Sequence, residues 1–284
     1  MTVYYGLLTL SVVLFGVGFL CNDRYTNGSG SSAGATVLFL LFTNMAGALV
    51  LFILNGFRLS VTPFTLLAAA VTALDFALYT FCALKALTRI NLSLFSVFAM
   101  LGGMLLPLLV GLCFYHEPMT WGIGVCALLV TAALALTVKP GGSRGGIWYY
   151  AGVFLSNGMA GVLAKWFADA PYAKAGAADY SIFVALFLIV GALIALPFVR
   201  RRLTRPRPPA LVWSCGYGVS IRMANYWLVL ALTVLPASVQ YPFVTGGTMA
   251  VCTLLGYAVG QRPTRRELLA VCLSILGVVL LVIL

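Results

Sequence analysis

Asp75 and Arg222 are the ionisable residues that fall near the middle of long apolar runs, whereas Asp23, Glu117, Asp169, Asp179 and Glu267 sit at run ends or between runs. An ionised side chain at mid-bilayer costs at least ~2.5 to 3.5 kcal/mol on insertion scales, so each should face a cavity or a partner. Three chemistries suit the two. They form a structural ion pair between helices; or, a solute's length apart, Asp75 takes an ammonium group and Arg222 a carboxylate, the charge layout of an amino acid; or Asp75 exchanges a proton for a cationic compound. Helical spacing places Tyr79 one turn from Asp75, and Asn225 and Tyr226 about one turn from Arg222.

A second set of candidates comes from a stretch that the chain contains twice. Residues 86–115 align with residues 231–260 at an offset of 145 with nine identities: Ala86, Leu87, Thr88, Ser93, Phe98, Gly102, Met104, Leu109 and Gly111 match Ala231, Leu232, Thr233, Ser238, Phe243, Gly247, Met249, Leu254 and Gly256. Ser93, Ser96, Met100 and Gly103 lie on one helical face, and their counterparts are Ser238, Tyr241, Thr245 and Thr248. Such a stripe either lines a cavity or lets helices pack closely in lipid. Tyr241-Pro242 and Gly246-Gly247 are expected to interrupt the later copy, which favours a cavity wall with a mobile section.

Asn157 is deep enough in its run to line the same cavity, and Lys165 shares its face nearer the end, where its stem can snorkel. His116 and Glu117 follow an apolar run, where they read as a helix cap or as a gate or proton relay. The seven cysteines form no C-x-x-C pair and read as small buried hydrophobes, so no metal ligand set is expected.

The elements that must hold these residues are membrane helices. Hydrophobic residues make up 62% of the chain and charged ones 8%, and the mean hydropathy is +1.07, outside the range of a water-soluble domain. Ten runs approach the ~20 residues that cross the hydrocarbon: 3–21, 34–54, 62–84, 91–115, 120–138, 147–168, 180–199, 210–233, 237–259 and 266–284. The first lacks a basic leader and a small-residue cleavage site and is expected to be a span. The period-2 alternation of a membrane barrel is missing, so the spans are helical. The expected fold is therefore all-α integral membrane, with ten transmembrane helices.

The duplication implies a first five-helix repeat at 1–139, a loop at 140–146 and a second repeat at 147–284. An odd number of spans per repeat turns the second copy over, so the repeats are inverted. Of the 17 Lys and Arg residues, thirteen fall in or beside odd-numbered loops, with Arg58, Lys165 and Lys174 in even ones and Arg222 within a span. This bias puts the odd loops in the cytoplasm and both termini outside. It also accounts for the net charge of +11 without nucleic acid as a partner.

The ending Phe114-Tyr115-His116-Glu117-Pro118-Met119-Thr120, the Gly-rich fifth span and the echo Gly260-Gln261-Arg262-Pro263-Thr264 resemble the drug/metabolite transporter superfamily, in its ten-helix EamA-type branch. The resemblance implies two inverted repeats around a central substrate cavity, alternating access and cytoplasmic termini, the last against the charge bias. The chain departs from that pattern at Gln261, where a Glu is usual.

No H-E-x-x-H, G-x-S-x-G or Walker motif occurs, so the expectation is a non-enzyme without cofactors whose energy comes from an ion or exchange gradient. The sequence reading is a secondary active transporter of a small organic solute, an amino-acid-like metabolite or an organic cation, with protons as a possible coupling ion. It would act as a monomer or dimer within a lipid bilayer, the bacterial cytoplasmic (inner) membrane. A facilitative exchanger or uniporter is the alternative; a non-transporting subunit and an intramembrane enzyme are the rivals from other classes.

Overall fold

The computed structural model describes residues 2–90, 92–114, 121–137, 144–200, 208–232 and 237–283. Within them the chain forms α1 (Thr2–Ser29), α2 (Ala33–Leu54), α3 (Pro63–Leu87), α4 (Leu92–Phe114), α5 (Trp121–Thr137), α6 (Arg144–Asp169), α7 (Ala177–Val199), α8 (Pro208–Leu232), α9 (Ala237–Ala258) and α10 (Arg265–Ile283). No strand occurs among the described residues. Among the described residues, five helices are long and apolar enough to cross a bilayer: α1 over Val3–Ser29, α2, α3, α6 over Gly146–Phe167, and α7. The chain is thus a helical, multi-pass membrane protein.

Local chemistry sets several helix starts. Ser32 Oγ accepts the Ala35 N–H at 3.2 Å to begin α2, and Thr62 caps α3 with Pro63 in its first turn. Asp179 accepts the Gly176 N–H at 3.2 Å at α7, and Glu267 accepts the Thr264 N–H at 2.7 Å at α10. The last is a Thr-x-x-Glu capping box, with Thr264 Oγ1 accepting the Glu267 N–H in return.

Two expectations about the helices are corrected. The first helix does not stop near residue 21 but continues to Ser29. Asn22, Asp23, Tyr25 and Thr26 are all under 4% exposed, so these polar residues turn into the protein and the helix extends. The ninth span is not interrupted: α9 is helical throughout. Its Gly247 instead lies beside Val12 of α1, where a Cβ would come within 3.0 Å of that side chain, so the glycine serves close packing. Among the cysteines, Cys113 and Cys272 face outward instead of into the core, and the described ones are free thiols.

The main packing pairs join early helices to late ones. α1 packs on α8 and α9, α6 on α3 and α4, α2 on α7 and α8, α3 on α7, α4 on α9, and α5 on α10. Exchanging α1–α5 for α6–α10 in order leaves this set of pairs unchanged: α1 on α8 becomes α6 on α3, and α1 on α9 becomes α6 on α4. The glycines agree. Gly102 of α4 sits against the Phe154 carbonyl of α6, and its counterpart at offset 145, Gly247 of α9, sits against α1. Leu67, Val71, Leu74 and Leu78 of α3 and Met45, Leu49 and Ile53 of α2 are exposed. These apolar stripes face outward, as lipid contact requires, and turn the polar residues of both helices inward.

Candidate functional site

The inward face of α3 carries Thr72, Asp75, Phe76 and Tyr79 at i, i+3, i+4 and i+7. Thr72 and Tyr79 are buried, Asp75 and Phe76 half-buried. Thr72 Oγ1 donates to the Ala68 carbonyl at 2.9 Å and lies 2.6 Å from the Tyr180 hydroxyl of α7. Because the threonine proton is already committed, the tyrosine donates to it. Ser156 of α6 hydrogen-bonds the Asp75 carboxylate. The other oxygen, Oδ2, is buried with no hydrogen-bond partner, and the same holds for the Tyr79 hydroxyl one turn on.

Arg222 reaches this face from α8. Its Nη2 donates to Asn44 Oδ1 of α2 at 3.0 Å, and its guanidinium lies over the Phe76 ring at 5.8 Å. Asn44 is oriented by its own Nδ2, which donates to the Leu40 carbonyl at 2.7 Å and so turns the oxygen toward the arginine. Close helix approach makes the contact feasible. Thr43 Oγ1 donates to the Ser214 carbonyl at 3.1 Å, and Gly218 abuts the Thr43 backbone. A Cβ at Gly47 would fall 2.7 Å from Arg222 Cγ, so the glycine leaves room for the arginine stem.

Asp75 and Arg222 therefore do not form the structural ion pair that their depth suggested. The cause is helix placement: α3 packs mainly on α6 and α7, while α8 packs mainly on α1 and α2. The acid meets Ser156, and the base meets Asn44 and the ring of Phe76. Tyr180 lies within electrostatic reach of both, and Tyr217 of α8 within reach of Arg222 and Tyr79.

The remaining candidates divide. Ser96 is fully buried and hydrogen-bonds Cys252 of α9, itself beside Tyr79. Met100 and Thr245 are buried in the same region of α4 and α9, where Thr248 Oγ1 is another buried atom with no partner. Asn157 does not reach the charges. Its Nδ2 donates to the Ala99 carbonyl at 2.7 Å and lies against Gly103, so it ties α6 to α4. Asn225 donates to its own helix at the Ile221 carbonyl, 2.8 Å away, and Tyr226 is half-buried beside it. Ser93 lies on α4, and Ser238 and Tyr241 on α9, with side chains outside the described residues; His116 and Glu117 lie outside them altogether.

Thr72 and Phe76 were legible, since the periodicity that recruits Tyr79 also reaches them. Asn44, Ser156, Tyr180 and Tyr217 lie on other helices, and no spacing rule connects them to Asp75 or Arg222.

A separate polar junction joins α1, the start of α4 and the turn before α10. Gln261, just after the turn at Gly260 (φ +85°), donates from Nε2 to Asp23 Oδ2 at 3.0 Å and accepts the Leu92 N–H at 3.0 Å. The amide thus neutralises an orphan donor at the start of α4 and pairs the buried acid of α1. A glutamate at this position could not donate to Asp23 when ionised.

No family model and no curated protein matches the sequence. Among solved structures, 24 chains match. One, described only as a crystal structure of a protein, superposes with a TM-score of 0.64 at 15% identity over 99% of this chain and 98% of that one. At that identity the likeness is one of fold.

Proposed function

We propose that this chain is a secondary transporter of a small organic solute, of the drug/metabolite transporter type, working by alternating access between two inverted five-helix halves. The observation that carries the proposal is the inward face of α3, where a carboxylate oxygen and a tyrosine hydroxyl lie buried without partners while an arginine held by a neutral amide approaches from α8. Buried polar atoms in a membrane interior are costly unless something bonds them, and a solute that does so recovers that cost on binding. The packing pairs that survive exchange of the halves support the inverted repeat, because alternating access needs two equivalent ways of closing. The charge bias favours odd-numbered loops in the cytoplasm of a bacterial inner membrane.

Purified protein in liposomes tests the reading. A carrier shows saturable uptake and accelerated counterflow, whereas a non-saturable ohmic current would remove it. Asp75→Asn and Arg222→Gln are each expected to abolish uptake. Combining them is expected to restore nothing, since the two groups do not neutralise each other; full recovery in the double variant would refute that.

A further inference from the structure

We infer that the solute is a zwitterion, carrying an amine for Asp75 and a carboxylate or equivalent anion for Arg222, and is not an organic cation; this rests on the carrier reading above. The argument turns on what each charge touches. Arg222 has five N–H donors, and its polar contact is the neutral Asn44. Asp75 has the neutral Ser156 on one side and an unpartnered Oδ2 on the other. Phe76, beside the guanidinium, and Tyr180, within electrostatic reach of both charges, are neutral as well.

Among the described residues, neither pole is therefore compensated by protein charge. A monocation would satisfy Asp75 but enter the repulsive field of Arg222, which would remain unpaired; a monoanion would meet the converse problem. Only a solute with both groups completes both poles, and it does so with no net charge added to the apolar interior. Tyr180, within electrostatic reach of both charges, ties the two poles to one region, and the Phe76 ring beside Arg222 presents an apolar surface there to the part of the solute that joins its two groups.

The test uses the full-length protein in detergent with thermal-shift and calorimetric titration. The probes are the common L-amino acids, γ-aminobutyrate and glycine betaine, with tetraphenylphosphonium as a monocation. For each zwitterion that binds, its amide (cation only) follows, and for those with a primary or secondary amine the N-acetyl form (anion only) as well. The expected result is stabilisation by at least one zwitterion and roughly tenfold or greater weakening when either pole is masked. Asn44→Asp, nearly isosteric, supplies Arg222 with an internal carboxylate and keeps the arginine in place. It should weaken the zwitterion about tenfold and strengthen its amide, whose repulsion by Arg222 it offsets. Asp75→Asn should weaken the zwitterion likewise and strengthen the N-acetyl form instead.

No response to any zwitterion, or tetraphenylphosphonium binding as tightly in the wild type as the best zwitterion, overturns the inference. Zwitterion binding without counterflow would overturn the carrier reading and leave this one standing. Counterflow of tetraphenylphosphonium with indifference to zwitterions would do the reverse.

Discussion

Gln261→Glu replaces one amide nitrogen with oxygen and sets a second titratable carboxyl against Asp23, which should add a new pH dependence to the junction. The Gln261 side chain lies 3.0 Å from Asp23 Oδ2 through its nitrogen and 3.0 Å from the Leu92 N–H through its oxygen. Asp23 is 2% exposed and its other side-chain hydrogen bond is to Asn27 of its own helix. An ionised carboxyl at residue 261 keeps the bond from Leu92 but loses the donor to Asp23. It also sets two negative charges about 3 Å apart, a repulsion of roughly 5 kcal/mol at an effective dielectric of 20.

Protonation is the less costly escape. A protonated carboxyl donates to Asp23 and still accepts from Leu92, reproducing the wild-type bonds. Keeping one carboxyl protonated at pH 7 costs about 3.7 kcal/mol, from roughly 1.4 kcal/mol per pH unit above an ordinary glutamate value near 4.3. The introduced group's folded value is raised above its unfolded one. Its contribution is therefore complete below about pH 4.3 and is lost as pH rises toward the folded value. The variant should melt with the wild type near pH 4.5 and fall progressively below it, by about 7 °C at pH 7 if each kcal/mol shifts the midpoint by about 2 °C. Melting followed in detergent from pH 4.5 to 8 reads this difference. Adding Asp23→Asn returns one donor to the pair and should flatten the profile. A penalty that does not change with pH, or no penalty at pH 7, would refute the reasoning.

Four other outcomes are expected. Gly218→Ala drives a methyl into the Thr43 carbonyl, a backbone atom that cannot rotate away; it should destabilise by about 1 to 3 kcal/mol in thermal melts. Gly191→Ala, with nothing within 4 Å, should be neutral or stabilising by up to about 1 kcal/mol. Thr72→Val and Tyr180→Phe break the same 2.6 Å contact, so a double-mutant cycle on midpoint shifts should show coupling of about 1 kcal/mol; strict additivity would contradict it. Glu267→Ala removes the acceptor for the Thr264 N–H and should cost about 0.5 to 2 kcal/mol of stability, while a melt equal to the wild type would remove the capping role.

Helical membrane character was legible because it is a matter of composition and run length. The stripe joining Asp75 to Tyr79 was legible because helical period alone places i and i+4 on one face. The duplicated glycines at 102 and 247 were visible as identities, though their use in packing α4 on α6 and α9 on α1 was not. The extension of α1 to Ser29 was missed for a definite reason. Apolar run length measures what faces lipid, and the last turns of that helix carry polar residues that face protein instead.

By itself, then, the sequence determined that the chain is helical and crosses a membrane, and that an acid and a base lie deep within it. Only the tertiary structure decided what those charges meet. Helix packing directs α3 toward α6 and α7 and α8 toward α1 and α2, so Asp75 meets Ser156 and Arg222 meets Asn44 and the ring of Phe76. Periodicity assigns a residue to a face of its own helix, but the neighbour opposite that face is set by contacts between segments far apart in the chain, such as Asn44 with Arg222 at a separation of 178.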